Sequence, residues 1–199
     1  MIARKLRSQK GMATVEFALI ASMMLLMVFV IIDFGSLIQA QAVVTNISRE
    51  GGNLASRDLK NGPDLLNLLA ASSSPLDFES SPTRFKIYLA KVDAGTSAGT
   101  ADPTCTVQES GSLEGNGVTS PAASGTCDLP PNLYDLLKFD DLIQTSPVSQ
   151  FTVVKVYYAH KPLTPMEEMF KAAGESVVDI DTDGDNLPDS MLISSKSIF

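Results

Sequence analysis

Apolar positions follow three patterns along this chain, and each predicts a different element. Residues 13–32 form a nearly unbroken apolar run that includes Leu19, Ile20, Met23, Met24, Leu25, Leu26, Met27, Val28, Phe29, Val30, Ile31 and Ile32. A hydrocarbon layer of roughly 30 Å takes about 20 such residues as a helix, so the run is long enough to cross it. Beyond it, Leu37, Ala40, Val44, Ile47, Gly51 and Leu54 recur at helical spacing, with Gln39, Gln41, Asn46, Arg49 and Glu50 falling largely between them. That is the stripe of a helix packing one face onto a core. Together the two patterns predict one helix over 12–56, its first half in lipid and its second half backing a domain. The pair Gly51-Gly52 should weaken or kink it.

The third pattern is alternation, the mark of a strand. Residues 84–92 alternate polar and apolar and predict a half-buried strand; 150–158 predict the strongest strand of the chain. Shorter strands are expected at 104–108 and at 191–194, the latter as a final edge strand. Helices are expected at 64–71, stopped by Ser72-Ser73-Ser74-Pro75, and at 131–142 with Pro131 in the first turn. Another is expected at 166–173, where Thr164 and Glu167 have capping-box spacing. Residues 110–126 are rich in Gly, Ser, Thr and Pro and predict a loop. A long helix followed by an antiparallel sheet is an α+β fold.

One residue does not suit a passive anchor. Glu16 lies inside the apolar run, where a carboxylate costs on the order of 2.5 kcal/mol or more unless it meets a partner. Before the run, Arg4, Lys5, Arg7 and Lys10 precede Gly11 with no acidic residue among them. The positive-inside rule keeps residues 1–11 on the cytoplasmic side and sends the remainder across. If the chain is cut after Gly11, Met12 becomes a new amino terminus. Glu16 then lies four residues on, one turn deeper on the same helix face. The ammonium of one subunit can pair with Glu16 of its neighbour when two such helices lie side by side. Two simpler alternatives stay open: a plain single-span anchor with Glu16 near the interface, and a secretory signal cut near Ala40-Gln41-Ala42, which has the small-x-small form.

The segment Gly11-Met12-Ala13-Thr14-Val15-Glu16-Phe17-Ala18-Leu19, with Ile32-Asp33-Phe34-Gly35 and Asn46-Ile47-Ser48-Arg49-Glu50-Gly51, resembles the TadE/TadF family. These are pilin-like minor components of the tight-adherence (Flp) pilus machinery. The likeness covers residues 8–58 and thins afterwards to Val153-Lys155-Tyr157 and Lys161-Pro162-Leu163-Thr164-Pro165. It implies a pilin-like architecture, with a long helix on a small antiparallel sheet. It also implies a leader, 1–11, removed at the Gly11–Met12 bond by an inner-membrane prepilin peptidase, and assembly through Glu16 and Phe17. The implied partners are that peptidase, other pilins and pseudopilins of the Tad pilus, and the inner-membrane assembly platform. The implied location is the bacterial inner membrane, single-pass and amino terminus in. Residues 57–199 would then form a periplasmic domain that can be incorporated in an extracellular pilus.

Charge narrows the alternatives. The chain holds 15 basic and 23 acidic residues. Removing the four basic leader residues leaves 11 and 23 in residues 12–199, a net charge of −12. So acidic a domain has no Lys/Arg surface for nucleic acid. Cys105 and Cys127 both fall in the exported part, inside a segment with little to bury. In an oxidising compartment such a pair reads as a disulfide, with two free thiols as the alternative.

The last candidate chemistry is Asp179-Ile180-Asp181-Thr182-Asp183-Gly184-Asp185-Asn186-Leu187-Pro188-Asp189. Five carboxylates here repel one another, and hard oxygens at alternate positions around a tight turn are what Ca²⁺ takes. The run resembles thrombospondin type 3 calcium repeats, with Asp181, Asp183, Asp185, the Leu187 carbonyl and Asp189 as ligands and Asp179 as an extra one. A second register, beginning at Asp179 like an EF-hand loop, ends on Ser190 where a bidentate glutamate belongs. A solvated acidic loop without metal is the alternative. A membrane-tethered periplasmic calcium-binding module outside any fibre is therefore the competing function. Catalysis is not expected: His160 is the single histidine, is expected at a strand end or on the surface, and lacks a nucleophile arrangement around it. A metal-dependent hydrolase built on the acidic loop is the weakest reading. Tyr157 and Tyr158 are expected to divide between core and surface.

Overall fold

The structure is a computed structural model that describes residues 2–57, 62–96, 102–115, 117–140, 146–164 and 190–199, with side chains from Met12 onward. Helix α1 runs Ile2–Ser56 and α2 Gly62–Ala71; then come β1 (Phe85–Asp93), β2 (Thr104–Ser110), α3 (Pro131–Asp135), β3 (Gln150–His160) and β4 (Met191–Ile198). The four strands form one antiparallel sheet in the order β2-β1-β3-β4, so β4 is an edge as expected. The fold is α+β: a long amino-terminal helix laid on a small antiparallel sheet. The helix begins at Ile2 rather than Met12, because residues 2–10 are mostly helix-tolerant and only Gly11 weakens the stretch.

The helical stripe meets the sheet as its spacing requires. Ala40, Val44, Ile47 and Gly51 are buried, while Gln39, Gln41, Asn46, Arg49 and Glu50 remain exposed. They pack on the sheet face that carries Phe85, Ile87, Leu89, Val154, Val156, Tyr158 and Ile193, together with Leu65, Leu66 and Leu69 of α2. Strand register brings Leu89 opposite Val154 and Ile87 opposite Val156, which keeps this face continuous. Phe78 closes it, stacked on Phe85 at 4.5 Å between ring centroids. Each such side chain contributes about 1.5–3 kcal/mol on full burial. Ser48, also buried, donates to Ser197 Oγ at 2.9 Å, a polar peg between α1 and β4.

Gly51 and Gly52 do not break the helix, which is continuous through both. A Cβ at Gly51 would stand 2.7 Å from Leu69 Cδ1 and 3.2 Å from Val154 Cγ1; one at Gly52 would stand 2.1 Å from the Phe199 ring. The pair serves close approach of α1 to α2, β3 and the chain end, and packing offsets its low helix propensity.

Strand β1 departs from the half-buried expectation, being buried on both faces through most of its length. Its second face, with Tyr88, Ala90 and Val92, lies under the segment that follows β2. Leu113, Cys127, Leu129 and Leu137 reach down from that segment and are fully or nearly fully buried. Tyr157 and Tyr158 are accordingly both buried, on opposite faces, and neither is a surface residue. Helix α3 stops at Asp135, short of 142. Leu137 turns into the core instead, and its carbonyl accepts from Gly95 N–H at 2.9 Å. A buried apolar side chain and a hydrogen bond to a segment distant in sequence outweigh continued helix there.

Cys105 and Cys127 are joined by a disulfide, with their Cα atoms 6.2 Å apart. Past the bridge, Cys127 and Asp128 both hold positive φ (53° and 59°), a region that L residues other than Asn, Asp and Gly seldom enter. Lys155 Nζ fastens this corner, 2.5 Å from Asp128 Oδ2 and 3.1 Å from Thr119 Oγ1, and Lys196 Nζ donates to Asp128 O at 3.0 Å. Replacing both cysteines by serine is expected to lower unfolding free energy by about 3 kcal/mol, the loop-closure entropy for a separation of this length. Denaturant titration of the double variant against the parent checks this.

Candidate membrane and assembly segment

The segment is built from the exposed half of α1. Over Met12–Ser56 the best 18-residue window has a mean hydropathy of 2.7, and none of that window is buried against the rest of the chain. Phe17, Leu19, Ile20, Met23, Met24 and Ile31 stand outward with more than half their surface open. One helix is thus long and apolar enough to span a membrane. Met12 and Glu16 are exposed on it, and no ion pair or hydrogen bond joins the Glu16 side chain to another described residue. Gly11 sits within the helix at the start of this stretch.

Where the apolar run ends, the chain makes a polar latch that periodicity does not reveal. Asp33 is buried (5 % exposed) although it follows the run directly. Its Oδ1 accepts the backbone N–H groups of Leu163 (3.0 Å) and Thr164 (3.1 Å), and its Oδ2 accepts the Thr164 hydroxyl. The turn after β3 is thereby tied to the helix at the end of the apolar run. Ser36, one turn on, lies 3.3 Å from His160 Nε2 and also donates to the Asp33 carbonyl at 2.8 Å. Arg84 stands on the other side, donating to Ala159 O at 3.1 Å and lying over the Tyr158 ring. The sequence signal was present in an acid placed immediately after an apolar run, but its partners lie well over a hundred residues away.

His160 does end a strand, yet it is buried rather than on the surface. Burial holds its pKa below the usual 6.5; the Arg84 guanidinium pushes the same way, and Asp33 opposes them. A base with a depressed native pKa binds protons more readily when unfolded. Its contribution is therefore intact above about pH 6.5 and shrinks as pH falls below that, levelling off under the native pKa. The melting temperature is expected to drop between pH 7.5 and 5, and His160→Gln should drop less; paired thermal melts across that range decide it.

The residues 165–189 lie outside the described residues. They include Asp179, Asp181, Asp183, Asp185, Leu187 and Asp189 and the helix expected at 166–173. Among the described residues, no cluster of His, Cys, Asp and Glu is arranged to hold a metal.

Comparison with protein families bears on this half of α1. Residues 11–53 match the family model described as TadE-like protein. The TadE-like match starts at Gly11, takes in the span, Asp33 and the packed stripe, and stops beside the Gly51-Gly52 contact. No curated protein and no solved structure matches the chain. The match is confined to residues 11–53 of the 199, so it is a likeness of the amino-terminal helix.

Proposed function

We propose that this chain is a minor pilin or pseudopilin of a Tad (Flp) pilus. A prepilin peptidase removes residues 1–11 at the Gly11–Met12 bond, and the new ammonium on Met12 pairs with Glu16 of an adjacent subunit. The amino terminus faces the cytoplasm, and residues 57–199 lie beyond the membrane, packing with other pilins and with the assembly platform through α1. The observation that carries the reading is an exposed apolar helix that bears within its apolar run a carboxylate, Glu16, with no partner among the described residues, close to the start of the TadE-like match. An acid with no partner among the described residues, on a helix with a bare apolar surface, is complementary to a second helix bearing a positive charge at the same depth.

The test is replacement of Gly11 by a bulky residue in cells that make the pilus. Intact mass should show a chain retaining residues 1–11, and fibres should be lost. A tethered module that never enters a fibre would keep its mass and its function.

A further inference from the structure

The Asp33 latch places one apolar side chain at an unusual depth. A run over 13–32 rises about 30 Å as a helix, so Asp33 stands at the edge of the hydrocarbon layer. Leu163 and Thr164 hang on its carboxylate by their backbones and stand at the same level. Outside α1, four large apolar side chains are exposed among the described residues: Leu68, Leu136 and Phe199 at 38–43 %, and Leu163 at 73 %. The most exposed of them is the one tied to the end of the span. Pro162 fixes its own φ and Pro165 restricts Thr164, so the residues on both sides of Leu163 are stiffened. On the same helix, Phe29 and Val30 are already half-buried, so cover on α1 begins within the last turn of the run.

We propose that the turn at 161–164 is a second membrane contact. Leu163 enters the interfacial region of the leaflet facing the domain, and Asp33 holds it there. The occupant of this apolar point is lipid, because its height is set by the span and not by any other protein surface. Two contacts, a helix and a turn beside it, fix the rotation and tilt of the domain where a helix alone leaves both free. The inference rests on α1 spanning the bilayer, and its test separates the two.

The chain contains no tryptophan, so single substitutions report position directly. Leu163→Trp, Met24→Trp in the span, and Leu68→Trp on α2 would each be reconstituted as full chains. The vesicles are phosphatidylethanolamine and phosphatidylglycerol, carrying bromine at shallow or deep acyl positions. Leu68 sits beside the far end of α1, next to the Leu69–Gly51 contact, and serves as the aqueous reference. Met24→Trp should be quenched best by deep bromine. Leu163→Trp should emit at shorter wavelength than Leu68→Trp and be quenched at least twofold better by shallow than by deep bromine. Adding Asp33→Ala to Leu163→Trp should reduce that quenching. Met24→Trp quenched with Leu163→Trp as unquenched as Leu68→Trp would overturn the second contact alone. Met24→Trp left unquenched would overturn the span and the contact together, and quenching indifferent to Asp33→Ala would overturn the latch.

Discussion

Glu16→Ala should abolish fibres while leaving the folded domain untouched. Glu16 is exposed and joined to no other described side chain, so its removal takes nothing from the fold and makes insertion of the span easier by on the order of 2.5 kcal/mol. In the assembled state the balance reverses. A subunit ammonium left facing alanine in a lipid-excluded seam has lost its compensating charge, and breaking such a desolvated pair costs about 3–5 kcal/mol. Incorporation should fall by roughly a hundredfold or more at that energy. Fibre counts by electron microscopy, set against equal amounts of variant in the membrane fraction, read this out. Unchanged fibres would remove the assembly role from Glu16, and the pilus proposal with it.

Gly51→Leu should be the most damaging single change in the helical half of the chain. The space at Gly51 is closed already at the Cβ position, with Leu69 Cδ1 at 2.7 Å and Val154 Cγ1 at 3.2 Å. Further methylenes would force α1 away from both α2 and β3. Overpacking of this kind costs about 1–3 kcal/mol, and the upper end applies where two elements must move. Gly35 is the internal control, because nothing lies within 4 Å of a Cβ built there. Gly35→Leu should be neutral or stabilise by up to about 0.8 kcal/mol through helix propensity alone. Melts of the two variants in the same detergent should differ by several degrees, and equal melting temperatures would refute the packing role of Gly51.

The contrast between those glycines shows where reading the chain succeeds. The span, the stripe from Leu37 to Leu54, the strand around residues 150–158 and the Cys105–Cys127 pair are written in local spacing and residue type. Those features survive whatever the rest of the chain does. Gly51-Gly52 reads locally as a helix weakness, yet it is a close-packing site, because Leu69, Val154 and Phe199 come from elements distant in sequence. Likewise β1 reads as half-buried because alternation records residue type and not what lies above the second face. Leu113, Leu129 and Leu137, in a stretch of small and polar residues, supply that cover.

The amino-terminal half of α1 follows from the sequence alone, since a long apolar run before a packed stripe admits one helix with two environments. Glu16 is conspicuous for the same reason: a charge in an apolar run is visible without coordinates. The latch of Asp33, Ser36, His160 and Thr164 is a product of tertiary structure. A carboxylate after an apolar run is ordinary until the end of β3 folds back beside it, and only that return shows which amide groups it accepts.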